Sequence, residues 1–215
     1  MDLFQLSLFI NGFPIRKAVE KLNEIHAIED KEYQKYVINK RNEIVSFHLK
    51  NNEFYKKLVY RNDLKWQELP ILNKKDLQVS LETRLSKEFT KSNVFTNKTS
   101  GSTGNPFYFA KDKFSHSLTW AVIQNRFDWH HIYKKKQARF YGIPKAAIPK
   151  LKERVKDFFS NRYRFNVFDL SDKALEKWVQ KFSKNKFVYL NGYTTVLVAF
   201  AKFLESENIV LKSIC

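Results

Sequence analysis

Cysteine is almost absent: the 215-residue chain holds one, Cys215. A single thiol excludes an internal disulfide framework and a cysteine-rich zinc site and fits a reducing compartment, so a cytoplasmic location is expected. Glycine and proline are scarce as well, five of each, which leaves little room for a turn-rich all-β sandwich or a flexible linker. No apolar run approaches the ~20 residues of a membrane-spanning helix. The nearest candidate, Val196 to Leu204, is short and broken by Lys202, so no membrane span is expected. Residues Met1 to Ile10 are apolar but lack a positive leading region and a small-residue cleavage site, which makes a poor signal peptide.

What is present is a globular composition. Hydrophobic residues make up 43% and aromatic residues 16%, with twenty Phe and ten Tyr to supply burial area. Acidic residues are outnumbered 22 to 39, for a formal charge of +17. A basic surface attracts phosphates, yet the Lys and Arg are interleaved with Glu and Asp along the chain. The densest cluster is only Lys134-Lys135-Lys136. That distribution describes solvated Lys-rich helices and a site for anionic nucleotides rather than a nucleic-acid-binding surface.

Residues 16–60 contain no Gly or Pro, and apolar residues recur at helical spacing, as in Val19, Leu22 and Ile25. Two or three amphipathic helices are predicted there, with a break at Asn51-Asn52. Asn73 reads as the cap of a helix starting at Lys74. After Ser92 the character changes: strand at Val94-Phe95-Thr96, a Gly/Ser/Thr loop, strand at Phe107 to Ala110, and a helix from Phe114 to Tyr133. Further strands are expected at Ala138 to Gly142, Phe165 to Phe168 and Lys186 to Leu190, the last turning at Asn191-Gly192. Helices are expected at Leu151 to Phe159, after a Ser171 cap, and from Thr194 to Glu207, and Ile209 to Cys215 alternates like a strand. The alternation of strand and helix argues an α/β fold.

Thr99 to Gly104 holds four hydroxyl residues and two glycines. Gly101 and Gly104 permit positive φ and let backbone N–H groups converge on an anion, and hydroxyls add donors that rotate to suit it. Pro106 fixes the exit. The P-loop pattern is excluded, because no lysine follows the second glycine. His130-His131 with Asp128 offers no chelate, since adjacent helical residues point about 100° apart, and no metal site is expected.

The string Thr99-Ser100-Gly101-Ser102-Thr103-Gly104-Asn105-Pro106 closely resembles the ATP-phosphate loop of the adenylate-forming superfamily of acyl- and aryl-CoA ligases. Many members carry Lys after the Pro. Phe107 stands there instead, a departure that looks like the branch of phenylacetate-CoA ligases and CapK-type capsular polysaccharide biosynthesis proteins. The flanks are similar to that branch too: Asn52-Glu53-Phe54-Tyr55, Trp66, Leu69 to Lys74 and Asp76-Leu77 upstream, Phe165 to Ser171 and Leu190-Asn191-Gly192-Tyr193 downstream.

The resemblance implies a helical N-terminal segment over 1–90 followed over 91–215 by the first part of a mixed α/β adenylation domain. It implies ATP with its Mg, a carboxylic acid substrate and coenzyme A as an acceptor, in capsular or cell-surface polysaccharide biosynthesis. Thr99, Ser100, Gly101, Ser102, Thr103 and Gly104 would hold the β- and γ-phosphates, and Gly192 and Tyr193 would line the nucleotide or acyl pocket. The family's later motifs, an aromatic-Gly-x-Thr/Ser-Glu segment, an Asp for the ribose hydroxyls and a Lys from a mobile C-terminal domain, have no counterpart before Cys215. No catalytic residue is therefore assigned. The expectation is the N-terminal half of an enzyme that does not turn over alone, with a separate chain carrying the rest. The alternative is an inactive remnant that serves as a folding or interaction module.

Overall fold

The computed structural model describes residues 3–59, 61, 64–99, 104–142 and 147–211. The chain packs as two units, one of Leu8–Val122 and the other of Met1–Ser7 with Ile123–Cys215.

In the first unit, helix α1 (Leu3–Ile10), which begins in the second unit, leads into α2 (Ile15–His26). Ile15, Ala18 and Leu22 lie buried on one stripe of α2, the i, i+3, i+7 spacing of an amphipathic helix. Helix α3 (Asp30–Asn51) buries no residue along its 22 positions. It breaks at the two asparagines, as the sequence implies, and Asn52 makes the break. Its backbone is extended, its Oδ1 accepts from the Tyr55 N–H at 2.9 Å, and its Nδ2 donates to the Arg84 carbonyl at 2.8 Å. Asn52 thus caps α4 (Glu53–Val59) while buried, with its polar atoms satisfied.

No helix starts at Lys74. Residues 74–77 form a turn, and the Asp76 carboxylate accepts the Asn73 N–H at 2.7 Å, a local bond that competes with helix propagation. The short helix α5 (Leu81–Arg84) is capped by Ser80. Strands β1 (Val94–Lys98) and β2 (Tyr108–Asp112) pair antiparallel, Val94 opposite Asp112 and Lys98 opposite Tyr108. The Asp112 carboxylate then accepts the Ser115 N–H and starts α6 (Lys113–Trp129). That helix stops four residues short of Tyr133. His131 and Lys134 both take positive φ, so the lysine run 134–136 is a turn entering the next strand instead of a helix end.

The second unit is a parallel sheet in the order β4-β3-β5, from β3 (Gln137–Phe140), β4 (Arg162–Arg164) and β5 (Tyr189–Gly192). Helix α7 (Ala147–Phe159) connects β3 to β4, α8 (Asp172–Ser183) connects β4 to β5, and α9 (Thr194–Ser206) follows. Ala138 and Phe140 enter a core with Leu175, Trp178 and Phe182 of α8 and Val196, Phe200 and Phe203 of α9. Phe140 stacks on Phe165 at 4.6 Å and 8°, and Phe165 on Phe182 at 5.4 Å and 13°.

Two strands are displaced from their expected positions. The Phe165 N–H still bonds to the Arg139 carbonyl at 2.8 Å, but the chain then leaves the sheet because Asn166 and Asp169 side chains take the N–H groups of Phe168 and Ser171. Ser171 stands at the N-cap of α8, but its hydroxyl donates to Asp169 and makes no cap bond. Asn191-Gly192 is not a turn; it is the end of β5, with Gly192 opposite Phe140. A Cβ on Gly192 would lie 2.4 Å from the Phe140 Cβ, so only glycine permits this approach. Ile209 to Leu211 are outside any strand, and residues 212–215 lie outside the described set. Among the described residues no helix is long and apolar enough to cross a membrane.

Candidate functional site

The Gly/Ser/Thr segment is the connection of the β1–β2 hairpin. Aromatic and β-branched residues at Val94-Phe95-Thr96 and Tyr108-Phe109 favour the two strands, and the run Thr99 to Gly104 between them carries only hydroxyl residues and glycine. The hairpin ladder ends at the Lys98–Tyr108 pair, and the base of the loop is then closed by two bonds between the same residues. The Thr99 N–H donates to the Phe107 carbonyl at 2.9 Å, and the Phe107 N–H donates to the Thr99 Oγ1 at 2.9 Å. The Thr99 hydroxyl keeps its hydrogen for donation. Gly104 has φ +83 with nothing within 4 Å of a Cβ, so the backbone conformation, not crowding, calls for glycine. Ser100, Gly101, Ser102 and Thr103 lie outside the described residues.

Three cations surround the ends of this loop. Lys98 directly precedes it, with its Nζ 5.8 Å from the Tyr108 ring centre. The Lys74 Nζ donates to the Asn105 carbonyl at 2.8 Å. The Arg84 guanidinium donates to the Tyr108 carbonyl at 2.6 Å and lies over the Phe107 ring at 4.9 Å. A positive charge therefore stands over the Phe107 ring. Beside the loop exit is an open groove of about 800 Å³, lined by Ser80, Arg84, Lys91, Thr96, Asn105 and Phe107 among others. Burial lowers the Arg84 pKa from its ordinary value, the cost of removing a guanidinium from water. Hydroxyls, a positive-φ glycine and nearby cations form a chemistry suited to a polyanion.

Sequence reasoning missed Arg84 and Lys74 as neighbours of the loop. Arg84 belongs to no motif and Lys74 only ends the upstream flank Leu69 to Lys74, so it is the strand register and the turn at 74–77 that bring them there.

Gly192 and Tyr193 lie in the other unit, at the C-terminal end of β5. Gly192 serves the close approach to β3 described above. The Tyr193 N–H donates to the Phe140 carbonyl at 3.0 Å, and its ring, 50% exposed, meets Tyr141 edge-on at 4.8 Å. The Tyr141 hydroxyl donates to the Asn191 Oδ1 at 3.0 Å. This is the carboxyl edge of a parallel sheet, where open α/β folds place their ligands. Among the described residues no group of three metal-ligating side chains converges.

Comparison with known proteins bears on the fold. No family model matches the chain. Protein CapK of Staphylococcus aureus is 23% identical over 206 residues, covering 91% of this chain and 44% of CapK. Among solved structures, 2-hydroxyisobutyryl-CoA ligase in an open conformation with 2-HIB-AMP and CoA aligns with a TM-score of 0.54 at 15% identity. That alignment covers 85% of this chain and 45% of the ligase. The same ligase in its thioesterification state gives a TM-score of 0.54 over 41% of its chain. The chain thus spans less than half the length of the relatives it matches. It is similar to CapK and has the α/β fold of an N-terminal part of an adenylate-forming ligase.

Proposed function

We propose that these residues form the N-terminal portion of an adenylate-forming ligase that activates a carboxylic acid with ATP, in cytoplasmic synthesis of capsular or other cell-surface polysaccharide. The observation that carries the reading is the hydroxyl-rich loop, pinned at its base by the Thr99–Phe107 pair and flanked by Lys74, Arg84 and Lys98, in a chain similar to CapK. Thr99, Ser100, Gly101, Ser102, Thr103 and Gly104 hold the β- and γ-phosphates of ATP, whose Mg travels with the nucleotide. Gly192 and Tyr193 belong to the nucleotide or acyl pocket.

In this reaction the acid carboxylate attacks the α-phosphorus of ATP, the bond to the bridging oxygen breaks, and pyrophosphate leaves. A thiol such as that of coenzyme A then attacks the acyl carbon, loses its proton and takes the acyl group, and AMP leaves. The loop contributes positioning and stabilisation of charge on the leaving pyrophosphate. A chain bearing the later motifs would be the partner that completes the site.

Calorimetric titration of the 215-residue chain with Mg-ATP tests the reading. Saturable binding is expected, weakened at least tenfold by the double substitution Ser102→Ala with Thr103→Ala. An absence of ATP binding, or equal binding by the double variant, would sink it.

A further inference from the structure

Strand β3 sends Ala138 and Phe140 into the aromatic core and, by the two-residue alternation of a strand, Gln137 and Arg139 to the opposite face. In register, Arg139 lies between Arg164 of β4 and Asn191 of β5. Two acidic residues of α7 serve this face, and both are engaged by β4. The Asp157 carboxylate accepts from the Nε of Arg162 and, at 3.0 Å, from the Nε of Arg164, while Glu153 accepts from Arg164 at 2.5 Å.

Arg139 has no such partner. Its Nε is buried and makes no hydrogen bond, and among the described residues no carboxylate pairs with it. Its guanidinium carbon lies over the Tyr141 ring, 4.5 Å from the ring centre. Burial, then the charges of Arg162 and Arg164, lower its pKa, with Tyr141 and Asp157 as lesser counterweights. A buried donor without an acceptor carries a full desolvation cost, and native proteins retain few of them. This one sits at the carboxyl edge of a parallel sheet, beside the Tyr141 hydroxyl held by Asn191 and the half-exposed ring of Tyr193.

We infer that Arg139 binds the carboxylate of the acid substrate, with Tyr141 and Tyr193 as walls for its acyl part. The inference rests on the ligase reading. Asp157 and Glu153 are already engaged by Arg162, Arg164 and Lys156, so the Arg139 guanidinium is the arginine of this face left for an added anion. The planar guanidinium fork also fits a carboxylate through two parallel N–H···O bonds.

The test follows the arginine side-chain 15N resonances of the full chain during titration with phenylacetate and hexanoate, with phenylacetamide and inorganic phosphate as controls. The Arg139 Nε–H resonance is expected to shift saturably with either acid and not with the amide. Arg139→Gln is expected to weaken acid binding at least tenfold, and Arg139→Lys less. Removing an unpaired buried charge should not unfold the sheet, which circular dichroism verifies. An unmoved Arg139 resonance, undiminished acid binding by Arg139→Gln, or an equal response to phosphate would overturn the assignment. ATP titration of the same samples separates the two readings: wild type that binds acid but not ATP refutes the ligase reading alone, and Arg139→Gln that keeps ATP binding while losing the acid supports this one.

Discussion

Residues 123–211 are held by a continuous stack of rings, whereas residues 8–122 are held by a thinner apolar core and by single polar contacts. In the first, Phe140, Phe165, Phe182 and Phe200 pack around Trp178 at ring separations of 4.6 to 6.4 Å. In the second, the buried apolar residues are mostly small or aliphatic, such as Ala18, Val59 and Ala121, and α3 buries none. Asn52, Ser86 and Ser117 are buried among them. Ring packing distributes energy over many contacts, so the strand ends it supports are fixed firmly. Polar contacts are directional, and each can be lost one at a time.

The largest effect follows from cutting the stack. Phe140→Ala should cost about 4 kcal/mol, the range for truncating a fully buried ring, measured by urea unfolding monitored by hydrogen exchange at the β3 amides. A loss below about 1 kcal/mol would mean that the core tolerates a cavity and that the contrast between the units is overstated.

Next in size, Asn52→Ala should cost about 2 kcal/mol by removing a helix cap and stranding the groups that Asn52 satisfies. Hydrogen exchange should quicken at the Tyr55 amide, whose N–H bonds the Asn52 side chain. Unchanged protection there would show that packing, not the cap, starts α4.

The ends of elements show why part of this architecture is legible in sequence and part is not. Periodicity locates α2 and α9, because a buried stripe has to recur every 3.6 residues, while α3, which buries no residue, is legible from a run free of Gly and Pro. The Asn51-Asn52 break is legible because asparagine competes locally for backbone donors. The β1–loop–β2 order is legible because a hydroxyl-and-glycine run separates two apolar strands. The edges of β4 and β5 are not. Arg162 and Arg164 look like surface residues until Asp157 is seen to pair with both, and Asn191-Gly192 looks like a hairpin turn until β3 is seen to pass within van der Waals reach. Both depend on a partner distant in sequence. The same holds for the site. The loop is legible as a string, Arg84 over Phe107 is not, and Arg139 leaves only the trace of a charge between Ala138 and Phe140.

A smaller effect concerns the base of the loop. Thr99→Val removes the acceptor of the Phe107 N–H and should cost about 1 kcal/mol, read as a lowered melting temperature, together with weaker ATP binding by calorimetry. Thr99→Ser keeps the oxygen and should retain both. Loss of ATP binding in the serine variant as well would assign Thr99 a role beyond closing the loop.

The smallest effect is a difference in acid response between the two units. His48, beside Ser86 and the rings of Phe47 and Tyr55, has its pKa lowered from 6.5 by burial. His116 is lowered by burial and then by Lys111, and its Nε2 accepts the Trp120 indole N–H at 3.1 Å while its ring stacks on Phe95 at 3.7 Å. A depressed histidine binds its proton less readily folded than unfolded, so stability is full above pH 6.5 and falls as pH drops below it. Both histidines belong to residues 8–122. On the sheet unit, burial raises the pKa of Glu153, but Lys156 and then Arg164 and Arg162 outweigh that and hold it below 4.5. A depressed carboxylate stabilises above its unfolded pKa and is lost only as pH falls below about 4.5. Lowering the pH from 7 to 5.5 should therefore reduce the hydrogen-exchange protection factors, which are referred to the intrinsic rate at each pH, in α6 near Trp120 and leave those of β3 unchanged. His116→Gln should remove its share of that response, and an equal loss of protection in both units would break the comparison.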